Sequence, residues 1–102
     1  MMTGEELLRV YEPRAIRWRE MFLFPLSLSL EFLADCERNG VRLLGLEAFD
    51  PPQGESIRCR LEDCLDVSGK AYWDYTVEEL CAVIHDFLSM RPDLLFEFVV
   101  EN

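Results

Sequence analysis

The sequence predicts a single α+β domain, in which a small mixed sheet of three or four strands carries two main helices on one face. Two observations support this fold class. Segments with strand-like alternation of apolar residues are interspersed with segments that have apolar residues at helical spacing. The chain has 102 residues, half of them apolar, which is enough for one hydrophobic core and too few for two. Residues 1–102 are therefore expected to form one domain.

The N-terminal segment is expected to form a helix and then a strand. The short helix over 3–12 begins with a capping box at Thr3 and ends before Pro13, which keeps its preceding residue out of the helical region. Residues 14–23 alternate as a strand does, although Glu20 interrupts the apolar side.

A second helix and strand follow. The helix over 27–39 ends at Asn39-Gly40, because glycine adopts the left-handed conformation without strain. The next segment, 41–49, is apolar on both faces, which is typical of a strand in the middle of a sheet. The apolar run from Met21 to Leu30 is too short to span a bilayer, so core packing is expected for it.

The segment between the second strand and the last helix is rich in turn signals. A proline-containing loop at 50–54 precedes a predicted short edge strand at 56–61. Residues 62–68 fit either a helical turn or an irregular acidic loop, and 68–75 form an aromatic loop.

The clearest helix covers 77–90. It begins with a capping box at Thr76 and carries apolar residues at the i, i+3, i+4, i+7 positions of an amphipathic helix. Strand 94–101 completes the fold, so the predicted order is helix, strand, helix, strand, edge strand, helix, strand.

Acidic residues are concentrated in the second half of the chain. Residues 1–48 hold eight acids and six bases, whereas 49–102 hold twelve acids and four bases. The net charge of −10 favours encounter with cationic surfaces and disfavours nucleic acid, which needs clustered Lys and Arg. We therefore expect a basic protein partner, no nucleic-acid partner and no membrane partner.

The densest acidic segment, 62–79, also contains three aromatic residues. Tyr and Trp are frequent anchors of protein interfaces, and acidic rims accelerate association. The candidate partner-binding residues are Glu62, Asp63, Asp66, Tyr72, Trp73, Asp74, Tyr75 and Glu78. A solvated face is the simpler interpretation of such a charge run.

Little in the chain suggests catalysis. The four cysteines lack the two-residue spacing of zinc or redox motifs, so we expect reduced, packed cysteines in a cytoplasmic protein and no metal site. His85 is predicted to face solvent, and no serine or cysteine motif accompanies it. No enzymatic activity and no cofactor are therefore expected.

Three segments together carry a family resemblance: Gly40–Phe49, Leu61–Ser68 and Leu95–Val100. In their order, spacing and acidity, the chain resembles the small cytoplasmic immunity proteins of bacterial polymorphic toxin and contact-dependent inhibition systems. The resemblance implies a single acidic domain that binds and neutralises a cognate toxin, often a nuclease with a basic cleft. The cysteines and arginines within 58–64 depart from this class, and it supplies no binding residue that can be matched here.

The favoured hypothesis is an immunity-type inhibitor that covers a basic active site with the acidic, aromatic segment, using Trp73 and Tyr75 as anchors. The alternative is a structural or regulatory subunit that forms a homodimer through an open sheet edge or through the apolar segment 21–30. A third hypothesis, a small hydrolase, predicts a pocket that contains a buried carboxylate of raised pKa.

Overall fold

The computed structural model describes residues 1–102 and contains three α-helices and two small antiparallel sheets. The helices are α1 (Gly4–Tyr11), α2 (Leu26–Asn39) and α3 (Val77–Ser89). The strands are β1 (Ile16–Trp18), β2 (Met21–Leu23), β3 (Leu43–Phe49), β4 (Leu65–Asp66) and β5 (Leu95–Val100). The predicted α+β class is confirmed.

The larger sheet has the strand order β4-β3-β5, so β3 is its central strand, as its two apolar faces predict. All strand pairs are antiparallel, and the prediction of a mixed sheet is wrong in this respect. The reason lies in the connections. Neighbouring parallel strands need a crossover, but α2 and α3 each connect strands that are not neighbours in the sheet.

The predicted single strand over 14–23 is a hairpin of β1 and β2, with Trp18 opposite Met21. Arg19 and Glu20 form its two-residue turn, in which Arg19 takes a φ of 55°. Such turns usually carry Gly or Asn, and neither is present to indicate the turn. Glu20, which interrupts the alternation of apolar residues, is a residue of this turn.

The predicted edge strand over 56–61 is also wrong. This segment pairs with β3 at a single bridge, Phe49 with Cys59, and the two-residue strand β4 forms the edge instead. Leu61–Asp63 is a 3-10 turn that separates the bridge from β4. Gly45 permits the close approach of β4, because a Cβ atom there would lie 2.6 Å from the Leu65 carbonyl oxygen.

One pair of residues joins the two sheets. Phe24, which follows β2, exchanges two backbone hydrogen bonds with Phe96 of β5, at 2.7 and 2.9 Å. The side chains of Phe24, Phe32 and Phe98 pack edge to face or tilted, with ring centroids 5.1–5.5 Å apart. The ring of Tyr11 from α1 lies 5.3 Å from that of Phe32, so this aromatic cluster connects α1, α2 and both sheets.

Both main helices pack on the same face of the larger sheet, as predicted. Their buried residues are Leu28, Ser29, Phe32, Leu33 and Cys36 of α2 and Leu80, Cys81, Ile84 and Leu88 of α3. The capping boxes at Thr3 and Thr76 are both formed, and Gly40 ends α2 with a φ of 66°. None of the helices combines the length and the apolar character needed to cross a bilayer.

The opposite face of the larger sheet is only partly covered. At one end Leu23, Phe49 and Leu95 form a second small core. At the other end Glu47 of β3 lies directly opposite Glu97 of β5, and like charges at such a position destabilise a sheet. Burial and the neighbouring Glu47 both raise the pKa of Glu97.

We expect Phe32→Ala to lower the free energy of unfolding by about 3–5 kcal/mol, because it removes the ring at the centre of the aromatic cluster. Leu61→Ala is the matched control; its side chain is 79% exposed, so a change within about 0.5 kcal/mol is expected. Urea denaturation followed by circular dichroism measures both. Equal effects of the two substitutions would contradict the assignment of the core.

We expect Glu97→Gln to raise the free energy of unfolding by about 0.2–1 kcal/mol near neutral pH. The folded-state pKa of Glu97 is raised, so its charged form costs stability as the pH rises through the raised pKa. In acid the carboxyl is protonated in both states, and the gain should disappear. Urea denaturation at neutral and acidic pH tests this. A gain that is the same at both pH values would refute the mechanism.

Candidate functional site

The eight residues predicted to bind a partner fall into two groups in the structure. Glu62 and Asp63 lie in the 3-10 turn beside the sheet edge, where arginines of the same chain hold them. The other six lie in β4, in the aromatic loop and in the first turn of α3, and this segment is called here the 66–78 surface. It consists of Asp66, Tyr72, Trp73, Asp74, Tyr75 and Glu78.

Arg60 neutralises much of the first group. Its guanidinium lies 2.9 Å from Glu62, 3.1 Å from Asp50 and 3.5 Å from Asp63. The backbone N–H of Glu62 and the Arg60 guanidinium lower the pKa of Glu62. These charges already have cationic partners, and they are therefore poorly suited to attract a second protein.

Asp63 is the most structural of these carboxylates. Its side chain is 17% exposed, and Arg91 donates a 2.9 Å hydrogen bond to it from the end of α3. The Arg91 guanidinium also lies 3.6 Å from the centroid of the Phe87 ring and donates to the Phe87 carbonyl. Asp63 thus connects the sheet edge to α3, and its role as a partner-binding residue stays a prediction.

The aromatic loop of the 66–78 surface is fastened to the sheet by Arg42, which lies just before β3. Its guanidinium donates hydrogen bonds of 2.7 Å to the carbonyl oxygens of Tyr72 and Tyr75. The two tyrosine rings meet edge to face, with centroids 5.3 Å apart, and Tyr72 also packs against the main core. The backbone of the loop is consequently held in one arrangement.

Trp73 is presented to solvent by this held loop. Its side chain is 66% exposed, although its indole N–H donates to the Ser68 carbonyl oxygen at 3.3 Å. Tyr75 beside it is 38% exposed. The exposed Trp73 ring offers a large apolar area that a partner could bury, while its N–H can keep a hydrogen bond.

The carboxylates around Trp73 are free of cationic partners. Asp66, Asp74 and Glu78 are exposed and form no ion pair within the chain. The hydroxyl and backbone N–H of Ser68 donate to Asp66 and lower its pKa, so this carboxylate is ionised at neutral pH. Glu78 lies in the first turn of α3, where a negative charge is favourable.

The residues that organise the site were not predicted. Arg42 and Arg91 were not assigned a role, although each is an isolated basic residue next to an apolar segment. Arg42 is the one charged residue before Glu47 in the apolar segment 41–49, and this isolation is a sequence signal that could have indicated a structural role. The pairing of Arg91 with Asp63 spans 28 residues, and no local pattern indicates it.

The cysteines and His85 lie where the sequence suggests. Cys36 and Cys81 are buried, Cys59 and Cys64 are partly buried, and all four are free thiols. The side chain of His85 is 55% exposed on the outer side of α3. No cluster of three or more potential metal ligands occurs in the chain.

The hydrolase hypothesis requires a pocket that contains a carboxylate of raised pKa, and Glu97 meets part of this requirement. It lines a groove of about 230 Å³ together with Glu12 and Glu20. The remaining lining residues are apolar, and ligand pockets usually enclose about 300–1,000 Å³. Partial burial and the repulsion from Glu47 account for the raised pKa of Glu97 without a catalytic role.

Comparisons of the chain with models of known protein families, with curated protein sequences and with solved structures gave no match.

We expect Asp63→Ala to lower the free energy of unfolding by about 1–3 kcal/mol, because it leaves Arg91 without its carboxylate. Asp74→Ala removes the same charge from an exposed, unpaired position and should change stability by less than about 0.5 kcal/mol. Urea denaturation of the two variants and the parent protein measures the difference. Indistinguishable stabilities would show that Asp63 is not a structural residue.

Proposed function

We propose that the protein is a binding module that recognises a basic protein partner through the 66–78 surface. One observation carries the proposal: Trp73 is exposed on a fastened loop, among carboxylates that have no cationic partner in the chain. Tryptophan and tyrosine are frequent anchors of protein interfaces, and acidic groups near them accelerate association with a basic partner. Both features occur together on this surface.

The fastening of the loop favours binding. A flexible loop loses conformational freedom when it is immobilised at an interface, and that loss weakens affinity. The two hydrogen bonds from Arg42 and the contact between Tyr72 and Tyr75 restrict the loop before any partner arrives. The surface is therefore suited to bind with little rearrangement.

The charge of the surface favours a cationic partner. Asp66, Asp74 and Glu78 add to a net charge of −10, which accelerates encounter with a basic protein. Lysine and arginine side chains of that partner would supply the ion pairs that these carboxylates lack. Binding should consequently weaken as the salt concentration rises.

Among basic partners, we favour a toxin, with this protein as its immunity-type inhibitor in the cytoplasm. The class is suggested by the resemblance of three segments to small acidic immunity proteins. In this mechanism the surface covers a basic active site, such as that of a nuclease, and Trp73 and Tyr75 are the anchors. Occlusion of this kind needs no chemistry on the inhibitor, so no enzymatic activity is proposed.

The homodimer alternative has less support. The apolar segment 21–30, one of the two expected dimer contacts, packs inside the domain, where Leu23, Phe24 and Leu28 are buried. The sheet edges remain available: they are the short strands β1 and β4, and β5, which is bridged to the hairpin segment only at Phe24. Short edge strands are a common way to discourage pairing between chains.

The proposal is tested by affinity purification from the source organism with quantitative mass spectrometry. Wild-type protein should recover a basic protein, and Trp73→Ala should lower the affinity for it at least about tenfold. Reversal of Asp74 and Glu78 to lysine should do the same. The matched control reverses Asp86 and Asp93, which are exposed on the far part of α3 and after it.

The two double variants carry the same net charge, so their comparison separates the position of the charges from their number. Loss of the partner only in the Asp74/Glu78 variant supports the 66–78 surface. Equal recovery by both double variants and by Trp73→Ala would refute it. Circular dichroism of each variant confirms that the fold is retained.

A further inference from the structure

We propose that Cys59 and Cys64 are a reversible oxidation site, at which a low-molecular-weight disulfide such as oxidised glutathione converts the two thiols to an intramolecular disulfide. The Sγ atoms of these residues lie 4.0 Å apart. The two side chains belong to one short segment at the sheet edge, on either side of the 3-10 turn Leu61–Asp63.

The geometry brings the two sulfur atoms close without joining them. A disulfide bond is about 2.05 Å long, so the sulfur atoms must approach by about 2 Å. Cys59 sits at the bridge to Phe49, whereas Cys64 lies between the turn and β4. Rotation of the side chains and a small shift of the turn can supply this approach, because β4 pairs with β3 over only two residues.

The Cys64 sulfur makes contacts that keep it at this position in the reduced protein. It accepts a hydrogen bond from the Ala48 backbone N–H at 3.5 Å and donates one to the Arg60 carbonyl oxygen at 3.4 Å. These weak bonds orient the thiol beside Cys59. They are also readily given up, since sulfur is a poor donor and acceptor.

The other two cysteines provide an internal contrast. Cys36 and Cys81 are buried, at 0% and 5% exposure. Burial raises the pKa of the Cys81 thiol to about 11, and burial and the neighbouring Cys64 also raise the pKa of Cys59, so the two pairs differ in their exposure. Thiol exchange requires a thiolate that the oxidant can reach. Cys59 and Cys64 are partly exposed, so the oxidant can reach this pair first.

The reaction proceeds by two exchanges. The thiolate of one cysteine attacks a sulfur of oxidised glutathione, forms a mixed disulfide and releases one glutathione thiolate. The thiolate of the second cysteine then attacks the protein sulfur and releases the other glutathione thiolate. The protein loses two electrons and two protons, and oxidised glutathione is reduced to two glutathione thiols.

The disulfide would close a ring around the turn that carries Glu62 and Asp63. Arg60 and Asp63 lie within this ring, and Asp63 holds Arg91 at the end of α3. Oxidation should therefore fasten the sheet edge between the bridge at Cys59 and β4. A crosslink also restricts the unfolded chain, so the oxidised protein should unfold at a higher temperature than the reduced protein.

The experiment incubates the folded, full-length protein with oxidised glutathione and blocks the remaining thiols with iodoacetamide before tryptic digestion. Trypsin cleaves after Arg58, Arg60 and Lys70, so Cys59 and Cys64 fall in different peptides, as do Cys36 and Cys81. The expected product is the peptide Cys59–Arg60 joined to Leu61–Lys70. Intact mass should fall by the mass of two hydrogens, and glutathione in excess should reverse the change.

Cys59→Ser and Cys64→Ser are the paired variants, and each should abolish the crosslink while retaining a mixed disulfide at the remaining cysteine. If Cys59→Ser and Cys64→Ser both keep the circular dichroism spectrum of the parent protein, unfolding is excluded as the cause of the missing crosslink. The inference fails if the parent protein keeps four free thiols. It also fails if the parent protein accumulates only mixed disulfides with glutathione, or if its crosslinked peptides contain Cys36 or Cys81.

Discussion

The pairing of Phe24 with Phe96 is the contact on which the rest of the domain depends. Its two backbone hydrogen bonds join the N-terminal hairpin to β5, and the Phe24 side chain enters the aromatic cluster with Phe32 and Phe98. A single residue thus belongs to both the sheet and the core. Without it the hairpin would have only two short strands, which are marginally stable alone. The helices α1 and α2 pack on the same aromatic rings, so the position of the hairpin also determines theirs.

In a chain with twice as many acids as bases, the few arginines decide which carboxylates remain free. Arg60 and Arg91 satisfy the acidic residues beside the sheet edge, and Arg42 uses its charge to hold a loop backbone. The carboxylates that these three residues do not reach include the exposed Asp66, Asp74 and Glu78 of the 66–78 surface. The acidic second half of the chain therefore presents two kinds of surface: one in which internal ion pairs neutralise the carboxylates, and one in which the carboxylates have no such partners. A count of charges along the sequence cannot separate the two.

Local signals predicted the helices well, because capping boxes and apolar periodicity are properties of neighbouring residues. The start of α3 follows from the capping side chain of Thr76, and the end of α2 follows from the missing side chain of Gly40. The strands were harder. The turn at Arg19 contains no glycine that would indicate it, and the edge strand β4, with only two residues, is too short to show an alternating pattern. The sequence places the candidate site in the acidic, aromatic segment, and this remains a prediction; the pairing of Asp63 with Arg91 could not be predicted, since the two residues are 28 positions apart in sequence.

The strand β5 has a consequence for the time at which the domain can fold. It lies between β3 and the hairpin, so until residues 95–100 are present β3 can pair only with β4, and the hairpin is not joined to the larger sheet. During synthesis on the ribosome, the helices can form early, because their contacts are local. The three-stranded sheet must wait until β5 has emerged, and until then one edge of β3 has unpaired backbone groups. Until β5 has been synthesised, this unpaired edge is a place where the nascent chain can pair with other chains, so a chaperone that shields nascent chains should act before that point.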